Sequence, residues 1–467
     1  MKKHILKGIL NIDFFVEEHT FLCISVMERT YIRDITENGP VKIQGFVENL
    51  RNGKSMAFLV IKDITGKIQV TVEKEKLPEI AEAVDLLTPD SVVTVTGEAV
   101  KNEFVKMGGI ELIPDSIKIE SVAEPLPIER REIPATKKKK AIERSSIDQR
   151  IDYRWIDLRT EENQLIFKVQ TCMLQALRDY CLERGFIEIH TPKLIGAASE
   201  SGSEVFEVKY FDRNAYLAQS PQFYKQMAMA GGFERIFEVG PVFRAEKSYT
   251  SRHTTEFTGF DIEMSFIDSF YDVMKFEEGL LTSMLGAVNE KYGEAIKEYF
   301  GVELIVPDKP FPIMKLRDLY DELEKEFGYT IPDSEKNDLT TDAERLSFEL
   351  SKKKFGSEFL FVTDFGPEKR AFYHMRKDGI PQGYDLIWRG VEITTGAQRE
   401  HRYELLKAQA EEKGLDNDVK FYLDFFRYGC PPHGGFGLGV DRMTMLMLNL
   451  GIKESMFIFR GPNRLNP

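Results

Sequence analysis

Apolar and polar residues alternate in short stretches through the first quarter of the chain. Between residues 40 and 122 the clearest stretch runs from Ile68 to Val72, and glycines such as Gly97 separate one stretch from the next. Because alternate residues of a strand share a face, the pattern predicts half-buried β-strands joined by turns. About five strands with one helix near 76–86 favour a small closed barrel such as an OB-fold, with a small sandwich as the alternative.

A different pattern begins near residue 150. From Ile166 to Tyr180 the apolar residues recur at steps of three and four and end before Gly185, which predicts an amphipathic helix. The remainder mixes predicted strands with predicted helices, which indicates one large α+β domain. The predicted strands cover 205–211, 235–243, 257–267 and 391–397, and the predicted helices cover 316–327, 402–413 and 440–450.

A stretch that contains several prolines and a run of lysines lies between these two patterns. The total of 467 residues is long enough for two or three domains. We therefore predict an N-terminal extension of unknown role over residues 1–28, a barrel domain over 29–125, a linker over 126–150 and a large domain over 151–467.

The chain is acidic, with 63 Lys and Arg against 76 Asp and Glu and a formal net charge of −13. Such a protein is not a coat for bulk nucleic acid or an anionic membrane, although a locally basic face can still bind RNA. Lys2 and Lys3 are followed too soon by Asp13 and Glu17 to start a secretion signal. We expect a cytoplasmic protein with no membrane and no DNA partner, in which the four cysteines, lacking any CxxC pair, stay reduced.

Three clusters of residues carry candidate chemistry. The first lies in 235–266, where two predicted strands flank a loop with Arg244, Glu246, Arg252 and His253. Guanidinium groups at the ends of strands can hold a polyphosphate, although the same residues could also form a simple salt-bridged hairpin.

The second cluster, 389–402, contains a predicted strand with polar residues. Regular alternation predicts that Glu392 and Thr394 share one face of this strand and that Thr395 lies on the opposite face. A carboxylate and a hydroxyl near phosphates suggest a position for Mg²⁺, since this ion prefers hard oxygen ligands.

The third cluster, 433–446, is a glycine-rich strand that leads into an apolar helix. Glycines let the backbone approach a ligand, and Arg442 gains a fixed position at the start of the helix. Each cluster alone is weak evidence of function, but the occurrence of all three in one chain is a specific indication.

The order of these motifs resembles that of class II aminoacyl-tRNA synthetases. FRAE followed by SRH is similar to motif 2, GLGVDR to motif 3, and FIEIHTPKL (186–194) to motif 1, the dimer-interface element. The barrel and the ending RLNP fit the subgroup with an N-terminal OB-fold anticodon domain. Within this subgroup, SESGSEVF, YLAQSPQFYKQ, HTTEFTGFDIEM, GAQREHR and FRYGCPPHGGFGLG resemble aspartyl-tRNA synthetases of the archaeal and eukaryotic type. Over residues 40–467 the resemblance implies an OB-fold β-barrel and an α+β catalytic domain whose antiparallel sheet is flanked by helices.

The resemblance also implies ATP-dependent ligation of L-aspartate to tRNA through an aspartyl-adenylate. Arg244 would hold the α-phosphate, Glu246 would contact adenine, and Arg442 would contact the far end of ATP. Glu392 and Thr395 would hold Mg²⁺. The full set implied for ATP and catalysis is Arg244, Ala245, Glu246, Arg252, His253, Thr254, Glu392, Gly439, Val440, Asp441 and Arg442.

For the amino acid, the resemblance assigns Arg399 and Lys225 to the side-chain carboxylate. Because both are cations, we expect a pocket with unbalanced positive charge, which aspartate neutralises and asparagine leaves unpaired. Lys225 could alternatively be a surface lysine of a helix. The full set implied for aspartate is Glu200, Gln222, Phe223, Tyr224, Lys225, Arg244, Asp261, Thr395 and Arg399.

The barrel is implied to read the anticodon of tRNA-Asp. An exposed aromatic on an OB-fold sheet can stack on a base, while an amide and a carboxylate select its edge. The residues implied are Phe46, Phe58, Gln69 and Glu111, with Lys106 near the base that separates the aspartate from the asparagine tRNA. By pattern alone Phe58 would more often be a core residue. Phe46 stands where many relatives carry tryptophan, so tRNA-Asn stays open as a second substrate.

Two rival functions remain. An asparaginyl-tRNA synthetase shares the fold and the equivalent of Arg399, but it typically carries glutamate where Lys225 stands. A synthetase-like RNA-binding regulator without catalysis would tend to lose the motif arginines or the barrel, and this chain keeps both. Under either aminoacylation hypothesis, motif 1 implies a symmetric homodimer.

Overall fold

The computed structural model describes residues 27–132, 141–196, 205–247 and 253–467. Almost all of the predicted N-terminal extension lies outside these residues, as do Glu200 and Arg252 of the predicted site. The chain divides into two compact units, Met1–Pro127 and Ile128–Pro467. In the second half of the predicted linker, Arg150 is buried and forms ion pairs within the second unit.

The first unit is a closed barrel of five strands, which confirms the OB-fold prediction and excludes the sandwich. The alternating apolar residues of every strand fill its interior, and Ile43, Leu59 and Val70 are fully buried there. The strands are β1 (Gly39–Asn52), β2 (Met56–Lys62), β3 (Lys67–Glu73), β4 (Val92–Lys101) and β5 (Ile110–Ser121), in the order β1-β2-β3-β5-β4, with helix α1 (Pro78–Leu86) between β3 and β4.

Gly97 does not form a turn, contrary to the prediction. It lies inside β4, where the register against β5 shifts between Thr96 and Gly97. A Cβ atom at this position would lie 2.1 Å from the carbonyl oxygen of Ile113, so the two strands approach too closely for any side chain. The glycine therefore permits a β-bulge within the barrel rather than a break between strands.

The second unit is an α+β domain that contains every helix and strand predicted for it. The helices are α2 (Ile147–Asp152), α3 (Arg154–Asp157), α4 (Glu161–Leu182), α5 (Gln222–Ala230), α6 (Phe270–Phe300), α7 (Leu316–Phe327), α8 (Thr341–Phe355), α9 (Tyr403–Glu412), α10 (Lys420–Leu423), α11 (Val440–Leu448) and α12 (Ile452–Ser455). The strands are β6 (Ile187–Glu188), β7 (Leu194–Ile195), β8 (Glu207–Tyr210), β9 (Arg213–Leu217), β10 (Arg235–Phe243), β11 (Glu256–Ser265), β12 (Ile313–Lys315), β13 (Phe359–Thr363), β14 (Arg376–Lys377), β15 (Ile380–Pro381), β16 (Gly383–Trp388), β17 (Val391–Arg399) and β18 (His433–Gly439).

Eight of these strands form one sheet in the order β12-β13-β16-β17-β18-β11-β10-β6. The strands from β13 to β10 pair antiparallel, as predicted, but β12 and β6 at the two edges pair parallel, so the sheet is mixed. Helices α4, α6 and α11 supply the apolar side chains that form the core with this sheet. In α4 the predicted face is buried: Ile166, Val169 and Met173 are at most 1% exposed.

One acidic residue lies inside this apolar layer. Glu277 of α6 is fully buried and accepts a hydrogen bond from the Tyr384 hydroxyl at 2.6 Å and another from the Thr394 hydroxyl. Burial raises the pKa of Glu277 to about 8, although both hydrogen bonds act in the opposite direction. The side chain is therefore protonated at neutral pH and joins α6 to strands β16 and β17 without a buried charge.

We expect Glu277→Gln to remove a pH dependence of stability. Because the pKa is about 8 in the folded chain and near 4.5 otherwise, the unfolded chain releases this proton first as the pH rises. The wild-type free energy of unfolding should fall relative to the variant by about 1.4 kcal/mol per pH unit across this window. Urea unfolding at several pH values measures the difference. Glu290→Gln, an exposed position on the same helix, is the matched control, and parallel curves for wild type and Glu277→Gln would contradict the assignment.

Candidate active site

A cavity of about 370 Å³ lies against α5, β11, β17 and β18. Its volume suits a small organic substrate, and polar side chains converge on it from α5, β11 and β17, while β18 contributes glycines and Leu438. Most of the predicted ATP and aspartate residues line it, namely Gln222, Lys225, Arg244, Glu246, His253, Thr254, Asp261, Glu392, Thr395, Arg399, Gly439, Asp441 and Arg442.

Four predicted residues do not line the cavity. The Phe223 side chain packs against Phe421 and Tyr422 in a separate apolar cluster, and the Val440 side chain is fully buried in the main core. Only the backbone of these two residues could reach a ligand. Tyr224 and Ala245 are half-buried neighbours of lining residues.

Helix α5 presents its polar side chains on its buried side. Gln222, Lys225 and Gln226 follow each other at steps of three and one, and all lie on the face that packs inward. Lys225 is only 2% exposed, and its Nζ donates to Asp261 Oδ1 at 3.0 Å, so the surface-lysine alternative is wrong. The buried Nε2 of Gln222 has no hydrogen-bond partner within the described part of the chain, which leaves a donor for a ligand.

Glu263 joins the two predicted cationic residues at the base of the cavity. It is 0% exposed, and its Oε1 accepts from Arg399 Nε at 3.0 Å while its Oε2 lies 3.4 Å from Lys225 Nζ. Burial alone would raise the pKa of Glu263, but Arg399 and then Lys225 hold it below its ordinary value. Glu263 is therefore ionised and fixes both cations in place.

The expectation of an unbalanced positive pocket is wrong. Among the described residues, Asp261 and Glu263 supply two negative charges against the two positive charges of Lys225 and Arg399. Sequence reasoning missed Glu263 although a signal was present. Asp261 and Glu263 lie two residues apart on a strand and therefore share a face.

Glycines on β18 make room for these carboxylates. A Cβ atom on Gly435 would lie 2.5 Å from Glu263 Oε2, and one on Gly437 would lie 3.0 Å from Asp261 Oδ1. Arg399 gains a second support here, because its Nη2 donates to the Gly435 carbonyl oxygen at 2.8 Å. The glycines of β18 thus leave space for the carboxylates of the neighbouring strand β11, in addition to lining the cavity.

His374 lines the cavity on the other side of Arg399 and was not predicted. Its Nε2 lies 3.4 Å from Arg399 Nη1. Burial, and then the charge of Arg399, lowers the pKa of His374 well below its ordinary value, so the ring is neutral. No residue pattern in the sequence distinguished this histidine.

A second acidic group lies on β16 and β17. The Thr395 hydroxyl oxygen is 2.8 Å from Glu392 Oε1 and 3.0 Å from Asp385 Oδ1. Burial, and then the negative charge of Asp385, raises the pKa of Glu392 to about 7. Asp385 was missed, although it is the single charged residue of a fully buried strand.

The predicted faces of β17 are wrong, because the strand contains a bulge. Leu386 pairs with Thr394 and Ile387 with Glu392, so Ile393 is an extra residue on β17. The bulge turns Glu392 to the face of Thr395, while Thr394 reaches Glu277 on the opposite face. Simple alternation could not anticipate this extra residue.

Two arginines border this acidic group. Arg370 donates from both Nη atoms to the two oxygens of Asp385 at 2.8 Å, and its guanidinium lies 3.7 Å from the ring centroid of Phe365. Arg442 donates from Nη1 to the carbonyl oxygen of Glu392 at 2.7 Å. Arg370 was missed, because its basic neighbourhood in the sequence has no distinctive spacing.

The motif 2 segment contributes a more open side of the cavity. Glu246 lies between two basic groups, with Arg244 Nη1 at 3.7 Å and His253 Nε2 at 3.9 Å from its oxygens. Thr254 donates to the carbonyl oxygen of Arg460 at 2.7 Å, and Asp441 accepts from the backbone N–H of Thr258 at 2.8 Å. The last two side chains thus hold backbone segments together at the rim.

The barrel presents a polar face with the predicted anticodon residues. Phe58 is half-buried between the fully buried Ala57 and Leu59, so its ring lies outside the core, and the core alternative is wrong. Phe58 lies opposite Thr71, whereas Phe46 is exposed and lies opposite Lys62 at the other end of β2.

Glu111 and Lys106 occupy the same barrel. Glu111 is 8% exposed and accepts from Gln69 Nε2 at 3.3 Å. Lys106 is exposed in the segment between β4 and β5.

The described residues contain neither a dense cluster of metal-ligating side chains nor a helix suited to a membrane. No group of three or more His, Cys, Asp or Glu side chains has the arrangement of a metal site. None of the described helices combines the length and apolarity needed to cross a membrane. Cys172, Cys181 and Cys430 are free, while Cys23 lies outside the described residues.

Comparison with known proteins supports the motif resemblance. The family described as tRNA synthetases class II (D, K and N) matches residues 146–458, and the OB-fold nucleic acid binding domain matches residues 41–120. An aspartate–tRNA(Asp/Asn) ligase of Aeropyrum pernix is 40% identical over 92% of this chain and 96% of its own length. An aspartate–tRNA(Asp) ligase of Pyrococcus abyssi is also 40% identical, over 94% of this chain and 99% of its own length.

Solved structures give the same result. The asparaginyl-tRNA synthetase of Pyrococcus horikoshii, complexed with asparaginyl-adenylate, has a TM-score of 0.83 at 31% identity, over 94% of this chain and 100% of that chain. The aspartyl-tRNA synthetase of Entamoeba histolytica has a TM-score of 0.81 at 33% identity, over 94% of this chain and 93% of that chain. With this fold, these motifs and these relatives, the chain belongs to the class II aminoacyl-tRNA synthetases of the D, K and N group, with an OB-fold nucleic-acid-binding domain preceding the catalytic domain.

Proposed function

We propose that this protein ligates L-aspartate to tRNA in two steps, through an aspartyl-adenylate. The observation that carries the proposal is the buried set of Lys225, Asp261 and Arg399, which line the cavity, together with Glu263, which pairs with both cations. Relatives named as aspartate–tRNA ligases at 40% identity support the same amino acid.

The charges of this set favour aspartate once its ammonium group is counted. If the ligand ammonium pairs with Asp261, the remaining Lys225, Arg399 and Glu263 carry one net positive charge. A side-chain carboxylate neutralises that charge, whereas the amide of asparagine leaves it buried and unpaired. Because an uncompensated buried charge is costly, the site should reject asparagine strongly even though the two ligands have nearly the same shape.

The first step needs no nucleophile from the protein. The α-carboxylate oxygen of aspartate attacks the α-phosphorus of ATP, a mixed anhydride forms, and the bond to pyrophosphate breaks. Arg244 and Arg442, both lining the cavity, would hold the phosphates in line, and Gln222 has a free donor for the amino acid. The contribution of the protein is alignment and neutralisation of charge.

The second step transfers the aspartyl group to the terminal adenosine of tRNA. The 3′-hydroxyl attacks the carbonyl carbon of the anhydride, and AMP leaves. The OB-fold unit would bind the anticodon through Phe58, Gln69 and Glu111, since rings stack on bases and amides and carboxylates select their edges.

Mg²⁺ fits the acidic group on β16 and β17. Burial and the negative charge of the neighbouring Asp385 raise the pKa of Glu392, and a divalent cation would relieve this repulsion. Glu392, Thr395 and Asp385 offer only oxygen atoms, as this ion prefers. When bound, the ion would neutralise charge on the phosphates of ATP.

An asparaginyl-tRNA synthetase remains the nearest alternative, because a structure of that enzyme is among the most similar. Lys225 argues against it, since once Asp261 pairs with the ligand ammonium, Lys225 and Arg399 outweigh Glu263 and an amide cannot neutralise the remaining positive charge. A non-catalytic RNA-binding regulator is the remote alternative. Arg244, Arg442 and Glu392, which catalysis would use, converge on one cavity.

We also propose a homodimer that uses motif 1. Strand β6 forms one edge of the large sheet, and Ile187 on it is exposed, as is Leu194 on β7. An edge strand with exposed apolar side chains is a suitable surface for a second copy across a two-fold axis. The cytoplasmic location expected from the sequence stays a prediction.

We expect Mn²⁺, as a probe for Mg²⁺, to bind more tightly as the pH rises through about 7. Glu392 must lose its proton to act as a ligand, and its pKa is about 7. Below that value the affinity should fall by about tenfold per pH unit. Electron paramagnetic resonance of free Mn²⁺ measures this affinity at each pH. Glu392→Gln should lose the binding, the exposed Glu290→Gln should not, and a pH-independent affinity would contradict the site.

We expect aspartate, and not asparagine, to stimulate ATP–pyrophosphate exchange by the purified enzyme. The reason is the one net positive charge that only a carboxylate can neutralise. Arg442→Ala should nearly abolish the exchange while the fold, checked by circular dichroism, stays intact. Exchange stimulated by asparagine alone would identify the protein as an asparaginyl-tRNA synthetase instead.

We expect the enzyme to charge tRNA-Asp in preference to tRNA-Asn. An exposed aromatic, Phe46, and an exposed lysine, Lys106, remain on the anticodon-binding unit. The Aeropyrum pernix relative, named for both tRNAs, and the Pyrococcus abyssi relative, named for tRNA-Asp alone, are each 40% identical to this chain. Sequence identity therefore favours neither tRNA specificity. Aminoacylation of the two purified tRNAs side by side measures the ratio. Equal charging of both would overturn the preference without affecting the choice of amino acid.

A further inference from the structure

The segment that joins β4 to β5 carries the most exposed large apolar side chain of the described residues. Phe104 is 95% exposed, and no other residue of this size and polarity in the described ranges exceeds it. Burying a phenylalanine normally stabilises a protein, so a ring that is almost fully exposed forgoes that stabilisation. Such a ring on a nucleic-acid-binding domain points to a ligand.

The backbone around Phe104 is fixed by hydrogen bonds. Asn102 N–H donates to the Gly109 carbonyl at 2.8 Å and closes the segment at its base. Val105, 7% exposed, anchors the middle, and its N–H donates to the Asn102 carbonyl at 3.0 Å. Gly108 and Gly109 both have positive φ, 72° and 67°, which lets the chain turn back within so few residues. The exposure of the ring is therefore set by the fold.

Hydrogen bonds connect this segment to the proposed anticodon-reading face. Phe104 N–H donates to Asn102 Oδ1 at 3.0 Å, and Asn102 Nδ2 donates to Glu111 Oε1 at 2.6 Å. The other oxygen of Glu111 accepts from Gln69 at 3.3 Å and from the Thr71 hydroxyl. Thr71 in turn lies opposite Phe58. Phe104 therefore stands beside the same face as Phe58, Gln69 and Glu111.

We propose that Phe104 stacks on an unpaired base of the tRNA anticodon loop. An aromatic ring with both faces free suits the flat face of a base, and this segment of OB-folds commonly contacts oligonucleotides. Exposed Lys101 and Lys106 flank the ring and can attract the phosphates on either side of that base. Because every base has such a face, Phe104 would add affinity without selecting the base. The inference rests on the proposed function, since it takes tRNA as the partner.

The test compares Phe104→Ala with Phe104→Trp. The alanine variant should bind tRNA about 5- to 150-fold more weakly, the range for loss of one stacked base, whereas tryptophan should keep or improve the affinity. Aspartate-dependent ATP–pyrophosphate exchange should not change in either variant, because that step needs no tRNA. Leu86→Ala, which truncates another exposed apolar side chain of the same unit, is the control and should leave tRNA affinity unchanged.

A spectroscopic readout locates the stacked base. Unpaired anticodon-loop bases are replaced one at a time by 2-aminopurine, whose fluorescence is quenched when it stacks. Quenching at one position by wild type and Phe104→Trp, but not by Phe104→Ala, is the expected result. Unchanged tRNA affinity of Phe104→Ala would overturn the proposal, as would a fall in the sedimenting mass of that variant, which would assign the ring to a protein interface. Wild-type enzyme that binds tRNA but shows no exchange would instead refute the proposed function alone.

Discussion

Glu263 is the residue on which the amino-acid site depends. It is completely buried, and one of its carboxylate oxygens pairs with Arg399 while the other lies near Lys225. Removing one partner from such a buried network is typically costly, because it leaves a charge without compensation. The network fixes the positions of the two cations before any ligand arrives, which reduces the ordering that binding requires.

The charges of Lys225, Arg399, Asp261 and Glu263 balance one another, and this balance determines how the site distinguishes aspartate from other ligands. A positive pocket would attract any anion, whereas this one becomes positive only where Asp261 is occupied by a ligand ammonium group. Recognition of the ammonium and of the side-chain carboxylate is therefore coupled. When the ammonium pairs with Asp261, one positive charge in the pocket is left for the side-chain carboxylate to neutralise. A simple dicarboxylate without an amino group should gain much less from this arrangement than an amino acid does.

The sequence predicted the regular elements well and the local irregularities poorly. Helix α4 and strands β10, β11 and β17 follow from apolar patterns, which burial imposes directly. Helix α6 and strands β13 and β16, which also form the core, were not predicted. The bulge at Ile393 and the close strand approach at Gly97 depend on contacts with neighbouring strands, which no local pattern contains. For the same reason the sequence did not predict that Asp385 and His374 belong to the site, because folding brings them there from other parts of the chain. Lys225 was predicted from its motif, and its chemistry alone would not have distinguished it from a surface lysine.

The central claim concerns charge, and equilibrium binding tests it most directly. L-Aspartate and L-asparagine should be titrated calorimetrically into wild type and into Lys225→Met. We expect wild type to bind aspartate far more tightly than asparagine, and the variant to lose most of that preference, because Arg399 and Glu263 then balance each other. Asparagine bound by wild type as tightly as aspartate, or an undiminished preference in Lys225→Met, would contradict the account.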